Sequence, residues 1–531
     1  MKHLYRRLIA VACAGFVCTG CFGQNYPPSY VTTPVTSASG VTPSQLYAVD
    51  VNNDGLSDII QINAVPPGGQ SGSFNVSINS GNGTFLAPVT YPASTYIGAL
   101  TWGDFNNDGK VDIAVELLFT NQIAVYFGNG DGTFQAPVTS TIDLPPGVTF
   151  NSFPGSSIVA ADFNHDGNRD LVVAAADEET DSDWSVYLLL GDGKGHLTSP
   201  TVIYYPTSGW MVQTIVGGDF DTDGNADVTV LEDMYCSGGS GDCSSNVVTL
   251  FGNGGTSFDP IDVTTFDGAM TLGSADLNND GATDLFGIER SPDGSIDQLA
   301  VFTGHYDRNY SYLYTPVSDP DIGAPFAVAN FDGNWDLAAL STTYSGSSGA
   351  ASYRMAYFLN PGFESSTALV YGPSPGGNAT YQVGPVAGIF NADLKPDIAV
   401  NASSAAAPGN TQYNLTTTLA VGLNNTPSGF YGNCNYPTSG QGIHVCSPSA
   451  QTASGQVEVE ASASSFGMLR KIELWVNGQK QGEQDLVWGG KGYFDWTLQG
   501  LTPGAYNATI YAADIDNTLQ RHDFSFTVGN E

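Results

Sequence analysis

Gly103-Asp104-Phe105-Asn106-Asn107-Asp108-Gly109-Lys110-Val111-Asp112 is the stretch on which the reading of this chain turns. Its last nine residues follow the pattern Asp-x-(Asn/Asp)-x-Asp-Gly-x-x-Asp. The same phrase recurs at Asp50–Asp58, Asp162–Asp170, Asp219–Asp227 and Asp276–Asp284. Short acidic side chains on alternate residues of a tight loop converge on one point. A hard cation such as Ca²⁺ takes about six to eight oxygens at roughly 2.3–2.6 Å, so the loops read as cation sites.

The candidate ligands sit at positions 1, 3, 5, 7 and 9 of each copy. They are Asp50, Asn52, Asp54, Leu56 and Asp58; Asp104, Asn106, Asp108, Lys110 and Asp112; and Asp162, Asn164, Asp166, Asn168 and Asp170. The fourth and fifth loops add Asp219, Asp221, Asp223, Asn225 and Asp227, then Asp276, Asn278, Asp280, Ala282 and Asp284. Position 7 varies freely, as expected if it offers only a backbone carbonyl. Position 6 is always glycine, which suits a sharp turn or a positive φ. No soft ligand recurs, which argues against zinc and copper, and Mg²⁺ would keep more of its waters. One copy alone would read as an ordinary Asp/Asn/Gly turn. Five copies, each crowding three or four carboxylates into nine residues, would repel themselves without an ion. About five calcium ions are expected.

An EF-hand starts in the same way but continues to a Glu between two helices. Here the flanks are short, apolar and β-branched, as in Leu171-Val172-Val173-Ala174, so each loop joins two strands. The loops start at 50, 104, 162, 219 and 276, at intervals of 54, 58, 57 and 57 residues. Continuing that period finds two worn copies, at 330–336 and 389–397. They keep the final Asp, Asp336 and Asp397, and are read as having kept the turn and lost the ion. A Gly-rich phrase such as Gly128-Asn129-Gly130-Asp131-Gly132-Thr133-Phe134 follows each loop, in weaker form near Gly304, Pro361 and Pro427. Four strands per unit, seven times over, predict an all-β chain built on a seven-bladed β-propeller, with a linear solenoid as runner-up. Tyr30–Thr36 resembles a fourth strand, and the seventh unit lacks a clear one. The N-terminal strand is therefore expected to complete the last blade and leave no open sheet edge.

These loops, together with Gly128–Phe134, resemble the FG-GAP/VCBS repeats of integrin α-type propellers over roughly residues 30–432. The resemblance implies a calcium-stabilised propeller. It does not imply integrin function, because such repeats also occur in bacterial surface proteins, lectins and accessory modules of enzymes.

Residues 1–23 read as a signal peptide: Lys2, Arg6 and Arg7, an apolar stretch from Leu8 to Val17, then small residues. Cys18-Thr19-Gly20-Cys21 partly resembles a bacterial lipobox, so a secreted or outer-surface protein is expected, lipid-anchored at Cys21 or cleaved after Gly23. Cys236 with Cys243, and Cys434 with Cys446, read as two short disulfides of an exported chain. The propeller is expected over 30–433 and a disulfide-bracketed linker over 434–446. Residues 447–531 carry alternating runs (457–463, 471–476, 493–498, 506–512 and 522–528), which predict an Ig-like β-sandwich with Trp475 in its core. Without the leader's three bases the chain holds 12 bases against 52 acids, a net charge of −40. Such a surface disfavours nucleic acid and anionic membranes. No apolar run after the leader reaches the length of a membrane-spanning helix. A monomer is expected.

No P-loop, HExxH or dinucleotide fingerprint is present. Gly372-Pro373-Ser374-Pro375-Gly376 fits G-x-S-x-G only on paper, because two prolines exclude the strand-to-helix elbow. The histidines are scattered without triad or metal spacing. No catalytic residue is assigned and no enzyme is expected, a polysaccharide-active one being the alternative. In a four-strand meander the acidic and Gly-rich loops share one face. The second hairpins and the inter-blade connections share the other, so a protein or glycan partner is expected there. Trp210, Trp184 and Tyr235 are the aromatic candidates for contact, with lectin activity as the nearest alternative. Packing between blades is the plainer reading of both tryptophans.

Overall fold

The computed structural model describes residues 29–529 except 34–41, 65–70, 82, 151–157, 178–183, 199, 207–208, 235–243, 268, 279, 291–296, 318–321, 331–334, 346–349, 360–363, 372–378, 392–396, 406–414, 424–441, 449–450, 453–455, 465–468, 486–490 and 515–518. The described residues form strands and turns, with no helix among them. The leader, the lipobox-like Cys21, the loop containing Cys236 and Cys243, Tyr235 and Cys434 all lie outside these residues.

Seven antiparallel sheets follow one another along the chain. The second is typical: Ile97–Gly103, Asp112–Leu117, Gln122–Tyr126 and Val138–Thr141 lie side by side in chain order. The first sheet spans Thr42–Val49 to Val89–Pro92, the third reaches Thr201–Tyr204, and the fourth runs from Trp210–Gly218 to Phe258–Asp267. The fifth ends at Tyr310–Val317 and the sixth at Glu364–Tyr371. The seventh takes Ala379–Gly388, Asp397–Ala405 and Leu415–Leu423 from its own unit and Ser29–Thr33 from the start of the chain. Ser29 pairs with Leu423 and Thr33 with Leu419, so the N-terminal strand supplies the missing fourth strand as expected.

The cores lie between sheets. Each of seven apolar clusters joins one sheet to the next, and the seventh joins Phe390, Ala399 and Val421 back to Leu46 and Ile59 of the first. The sheets therefore close into a ring, a β-propeller. Sandwiching each sheet between two neighbours explains the continuous apolar second strands. Ile113, Ala114 and Val115 are all buried because both of their faces meet another sheet. Fully burying one such Val, Ile or Leu side chain is worth about 1.5–3 kcal/mol.

The C-terminal region folds as two sheets. One contains Gly442–Ser447, Gln456–Ser464 and Lys491–Gln499; the other contains Gln451–Thr452, Leu519–Val528, Gly504–Asp514, Leu469–Val476 and Gln479–Asp485. One core of residues such as Val459, Leu474, Phe494 and Phe526 fills the space between them, which makes a β-sandwich. Gly442–Ser447 is one of its strands, so the sandwich begins inside the segment read as linker. Trp475 does not enter this core. Strand alternation turns Ile472, Leu474 and Val476 inward and Trp475 outward, where its Nε1 donates to Glu473 Oε2 at 2.8 Å and its ring meets Tyr511 edge-on.

Candidate functional site

The acidic loop of each unit connects the first and second strands of its sheet, and in each a glycine turns the chain. Gly55, Gly109, Gly167, Gly224 and Gly281 adopt φ between 80° and 91°. A Cβ at Gly55, Gly109 or Gly167 would meet nothing within 4 Å, so position 6 requires glycine for its φ and not for room. The Gly-rich turn follows the opposite logic. A Cβ at Gly128, Gly191 or Gly252 would lie 2.1, 2.0 or 2.2 Å from a carbonyl oxygen of the acidic-loop strand. There only glycine lets two backbones touch.

The carboxylate at position 1 caps the loop. Its Oδ2 accepts the N–H of the position 6 glycine in all five copies, at 2.8 to 3.1 Å. The side-chain Oδ1 at position 3 accepts the N–H of position 5 at 2.8–3.2 Å, and the Oδ1 at position 5 accepts the N–H of position 7. Leu56, Lys110, Asn168, Asn225 and Ala282 thus share a backbone role, which explains their variety.

Position 9 behaves differently. Asp58, Asp112, Asp170, Asp227 and Asp284 are fully buried. In each, Oδ2 accepts the position 2 N–H at 2.8–3.1 Å. Oδ1 accepts an N–H at the Gly-rich turn, from Asn79, Gly128, Gly191, Gly252 or Gly304, at 2.7–2.9 Å. This aspartate pins the acidic loop to the Gly-rich turn of its own sheet. The seventh unit keeps half of the arrangement: Phe390 N–H donates to Asp397 Oδ2 at 3.0 Å. Asp336 of the sixth is likewise fully buried. The worn copies therefore keep the one acid on which the strand ends depend. Residues 331–334 and 392–396 lie outside the described residues.

Burial pushes the position 9 carboxyls up, Asp58 to about 8 and Asp112 and Asp170 to about 7. The amide donors pull against that shift, and the acids at positions 1 and 5 of the same loop add to it by repulsion. Asp227 and Asp284 move the same way, burial being the largest cause in both, with repulsion from Asp219 and Asp221 added at Asp227 and from Asp276 and Asp280 at Asp284. A cation among these oxygens would reverse that electrostatic cost. In the fourth loop Asp219, Asp221 and Asp223 each present a carboxylate oxygen, all within 4.8 Å of one another. The donor set is oxygen throughout, each accepting oxygen retains a second lone pair, and the residues present fit a hard divalent cation.

The opposite face is assembled from second hairpins and inter-sheet connections. Gly72 N–H donates to Thr95 O, Leu118 N–H to Tyr96 O, Phe119 N–H to Phe150 O, and Ile142 N–H to Asn121 O, at 2.7–3.0 Å. Trp184 is buried in the core between the third and fourth sheets and cannot face a ligand there. Trp210 is half-buried at the start of its strand, opposite Met234. Among the described residues, the exposed aromatics on this face are Tyr96, Phe119 and Tyr205, the last of these 71% exposed. Tyr96 and Phe119 form an edge-on pair at 5.9 Å, and Phe119 is held at φ 58°, a strained conformation for a bulky residue. The sequence signal was available: Tyr96 and Tyr205 both occupy the short connection that leads into the next sheet.

The fold and the repeated loops define a class, a β-propeller whose units carry acidic cation-type loops between their first two strands. The FG-GAP-like repeat family matches this chain at three consecutive stretches, residues 50–115, 117–173 and 162–230. Among solved structures, the Saccharomyces cerevisiae core factor is 8% identical at a TM-score of 0.41, covering 76% of this chain and 63% of its own. The present chain thus spans less than two thirds of that structure's length. A subtype N11 neuraminidase-like protein from a flat-faced bat isolate of Peru is 10% identical at a TM-score of 0.30, covering 76% of this chain and 98% of its own. A β-fructofuranosidase from Schwanniomyces occidentalis is 10% identical at 0.30, covering 75% and 98%. At these scores none of them carries an argument about activity. No helix among the described residues is long and apolar enough to cross a membrane.

Proposed function

We propose that this chain is an exported, calcium-loaded β-propeller that acts as a non-enzymatic recognition or adhesion module and binds a protein or glycan on the face opposite its acidic loops. The observation that carries this reading is the exposed Tyr96–Phe119 pair, presented by a strained turn on that face. An aromatic held in solvent at a backbone cost is poorly explained by packing, and strained backbone concentrates at working sites. Exposed aromatic faces stack on sugar rings and on apolar side chains alike, so the partner class spans both. The acidic loops take the other role. Their carboxylates are committed to loop and turn amides, and with calcium added they stiffen the ring; this leaves no spare acid pair there for hydrolytic chemistry. The two short disulfides expected at Cys236–Cys243 and Cys434–Cys446 belong to the same extracellular setting. Screening the protein and a Tyr96→Ala/Phe119→Ala variant on a glycan array and against extracellular matrix proteins tests the reading. A partner lost on the double substitution supports it. Equal binding by both proteins, or turnover of a polysaccharide, overturns it.

A further inference from the structure

The fourth acidic loop departs from the other four in one residue. Position 3 is Asn52, Asn106, Asn164 and Asn278 in loops one, two, three and five, but Asp221 in the fourth, which therefore holds four carboxylates where the others hold three. In the first and third loops the asparagine does two things. Its Oδ1 accepts the position 5 N–H, and its Nδ2 donates to the position 5 carboxylate at 3.0 Å. Asp221 retains the first role, accepting from Asp223 N–H at 3.2 Å, and lacks the N–H for the second.

Arg308 supplies it. Its Nε donates to Asp221 Oδ2 at 2.7 Å, and its guanidinium lies 3.8 Å from Asp223 and 3.3 Å from Asp259. The guanidinium carbon stands 4.7 Å from the centre of the Phe251 ring. Arg308 comes from the turn of the next sheet, Gly304-His305-Tyr306-Asp307-Arg308-Asn309-Tyr310. It stands where the equivalent turns place Gly83, Gly132 and Gly195, two residues before the residue that ends the turn. Those glycines have φ of 69°, 84° and 83°, and Arg308 adopts 64°. That position approaches the neighbouring acidic loop elsewhere too: Gly83 N–H donates to Phe390 O, and Gly195 N–H to Phe105 O. An extra acid in one loop is thus matched by a base at a turn position that reaches it, in a backbone conformation that an arginine adopts only at a cost.

We infer that Arg308 is a tethered cation for the fourth loop, which is balanced from within the chain, so that four loops and not five depend on a free divalent ion. This rests on the calcium reading above for its ion count, while the role of Arg308 in the metal-free protein stands apart from it. A fixed guanidinium opposes entry of a second cation at the oxygens it holds. Without it the fourth loop would be the most acidic of the five and would bind calcium most tightly.

The test uses the full chain and the variants Arg308→Gly and Asp221→Asn/Arg308→Gly. Glycine is the residue at this position in three other turns, so it adds no backbone strain. Melting in EDTA and counting bound calcium by equilibrium dialysis give two readouts. Arg308→Gly is expected to melt several degrees lower in EDTA, to regain that loss in calcium and to bind one more ion than the wild type. Its affinity at the new site should rise about tenfold or more, by Coulomb interaction at an intermediate dielectric. The double variant, which restores the asparagine pattern, is expected to recover much of the melting loss in EDTA. Five tight ions on the wild type, or an Arg308→Gly variant unchanged in both EDTA melting and ion count, overturns the inference. If the wild type binds no calcium, the proposed calcium role fails, and the EDTA melting of Arg308→Gly still decides whether Arg308 holds the loop.

Discussion

Replacing Asp112 by alanine separates the two roles that one acidic loop combines. Asp112 is fully buried and holds two backbone donors, Phe105 N–H at 2.9 Å and Gly128 N–H at 2.8 Å. Alanine leaves both without an acceptor, and a buried unsatisfied donor costs about 1–3 kcal/mol. Part of that loss is returned, because burial and the neighbouring acids already push the Asp112 carboxyl up to about 7. A net destabilisation of about 2–4 kcal/mol remains. Unfolding entropy of about 2 cal/mol/K per residue gives a ring of roughly 400 residues about 0.8 kcal/mol/K, so the melting temperature should fall by about 2–5 °C. The loss should be present in EDTA as well as in calcium, because the amides need the carboxylate whether or not an ion is bound. Asp108→Asn, at position 5, serves as the contrast. Its side chain is partly exposed and its amide oxygen can still accept from Lys110 N–H, so it should act mainly on the calcium-induced gain. Differential scanning fluorimetry of both variants, with and without calcium, measures all four values. An Asp112→Ala protein that melts with the wild type in EDTA would refute the structural role given to position 9.

Three further outcomes follow from the same geometry. In EDTA, the carboxyls of Asp58, Asp112 and Asp170 hold protons up to about pH 8, 7 and 7 in the folded protein and only to about 3.8 when unfolded. The metal-free protein should therefore lose stability as pH rises from about 4 to 8, and calcium should flatten or invert that slope; melts at pH 5 and pH 8 read the sign. Deleting residues 29–33 strips Leu415–Leu423 of one of its two partner strands and should lower the melting temperature and promote association through the bared edge, as light scattering would report. In the sandwich, Phe494→Ala should cost about 3–5 kcal/mol, whereas the outward-facing Trp475→Ala should cost clearly less, as chemical denaturation would measure.

The ring was legible because its signal is periodic: five intact loops and two worn ones at a near-constant interval count the sheets, and the N-terminal run fills the gap in the seventh. What sequence could not separate is function within the motif. Every position of the loop is an oxygen donor on paper, and only burial distinguishes Asp112, which serves the backbone, from Asp104 and Asp108 at the loop surface. Gln479–Asp485 was missed as a strand because it reads Gln-Lys-Gln-Gly-Glu-Gln-Asp, with no apolar residue to mark a buried face; it lies at the end of its sheet. Trp475 was misplaced by size, since a large aromatic invites a core assignment, while the alternation of Ile472, Leu474 and Val476 already pointed it outward. Arg308 carries no signal of its own in the sequence, where its turn reads as a faded glycine repeat. The glycine that is missing there marks the residue of interest.

Closure by Ser29–Thr33 also sets an order in time. During synthesis these residues leave the ribosome before every other strand of the ring and find their partner, Leu419–Leu423, only after the rest of the ring has been made. The first sheets can assemble as they emerge, but the circle stays open until its last strand arrives. A chain interrupted before residue 415 would leave Asp397–Ala405 and Ser29–Thr33 each without the strand that lies between them, and both bared edges would be competent to recruit other chains. The joint therefore acts as a completeness check on the ring, with its first strand held in reserve until its last has been made.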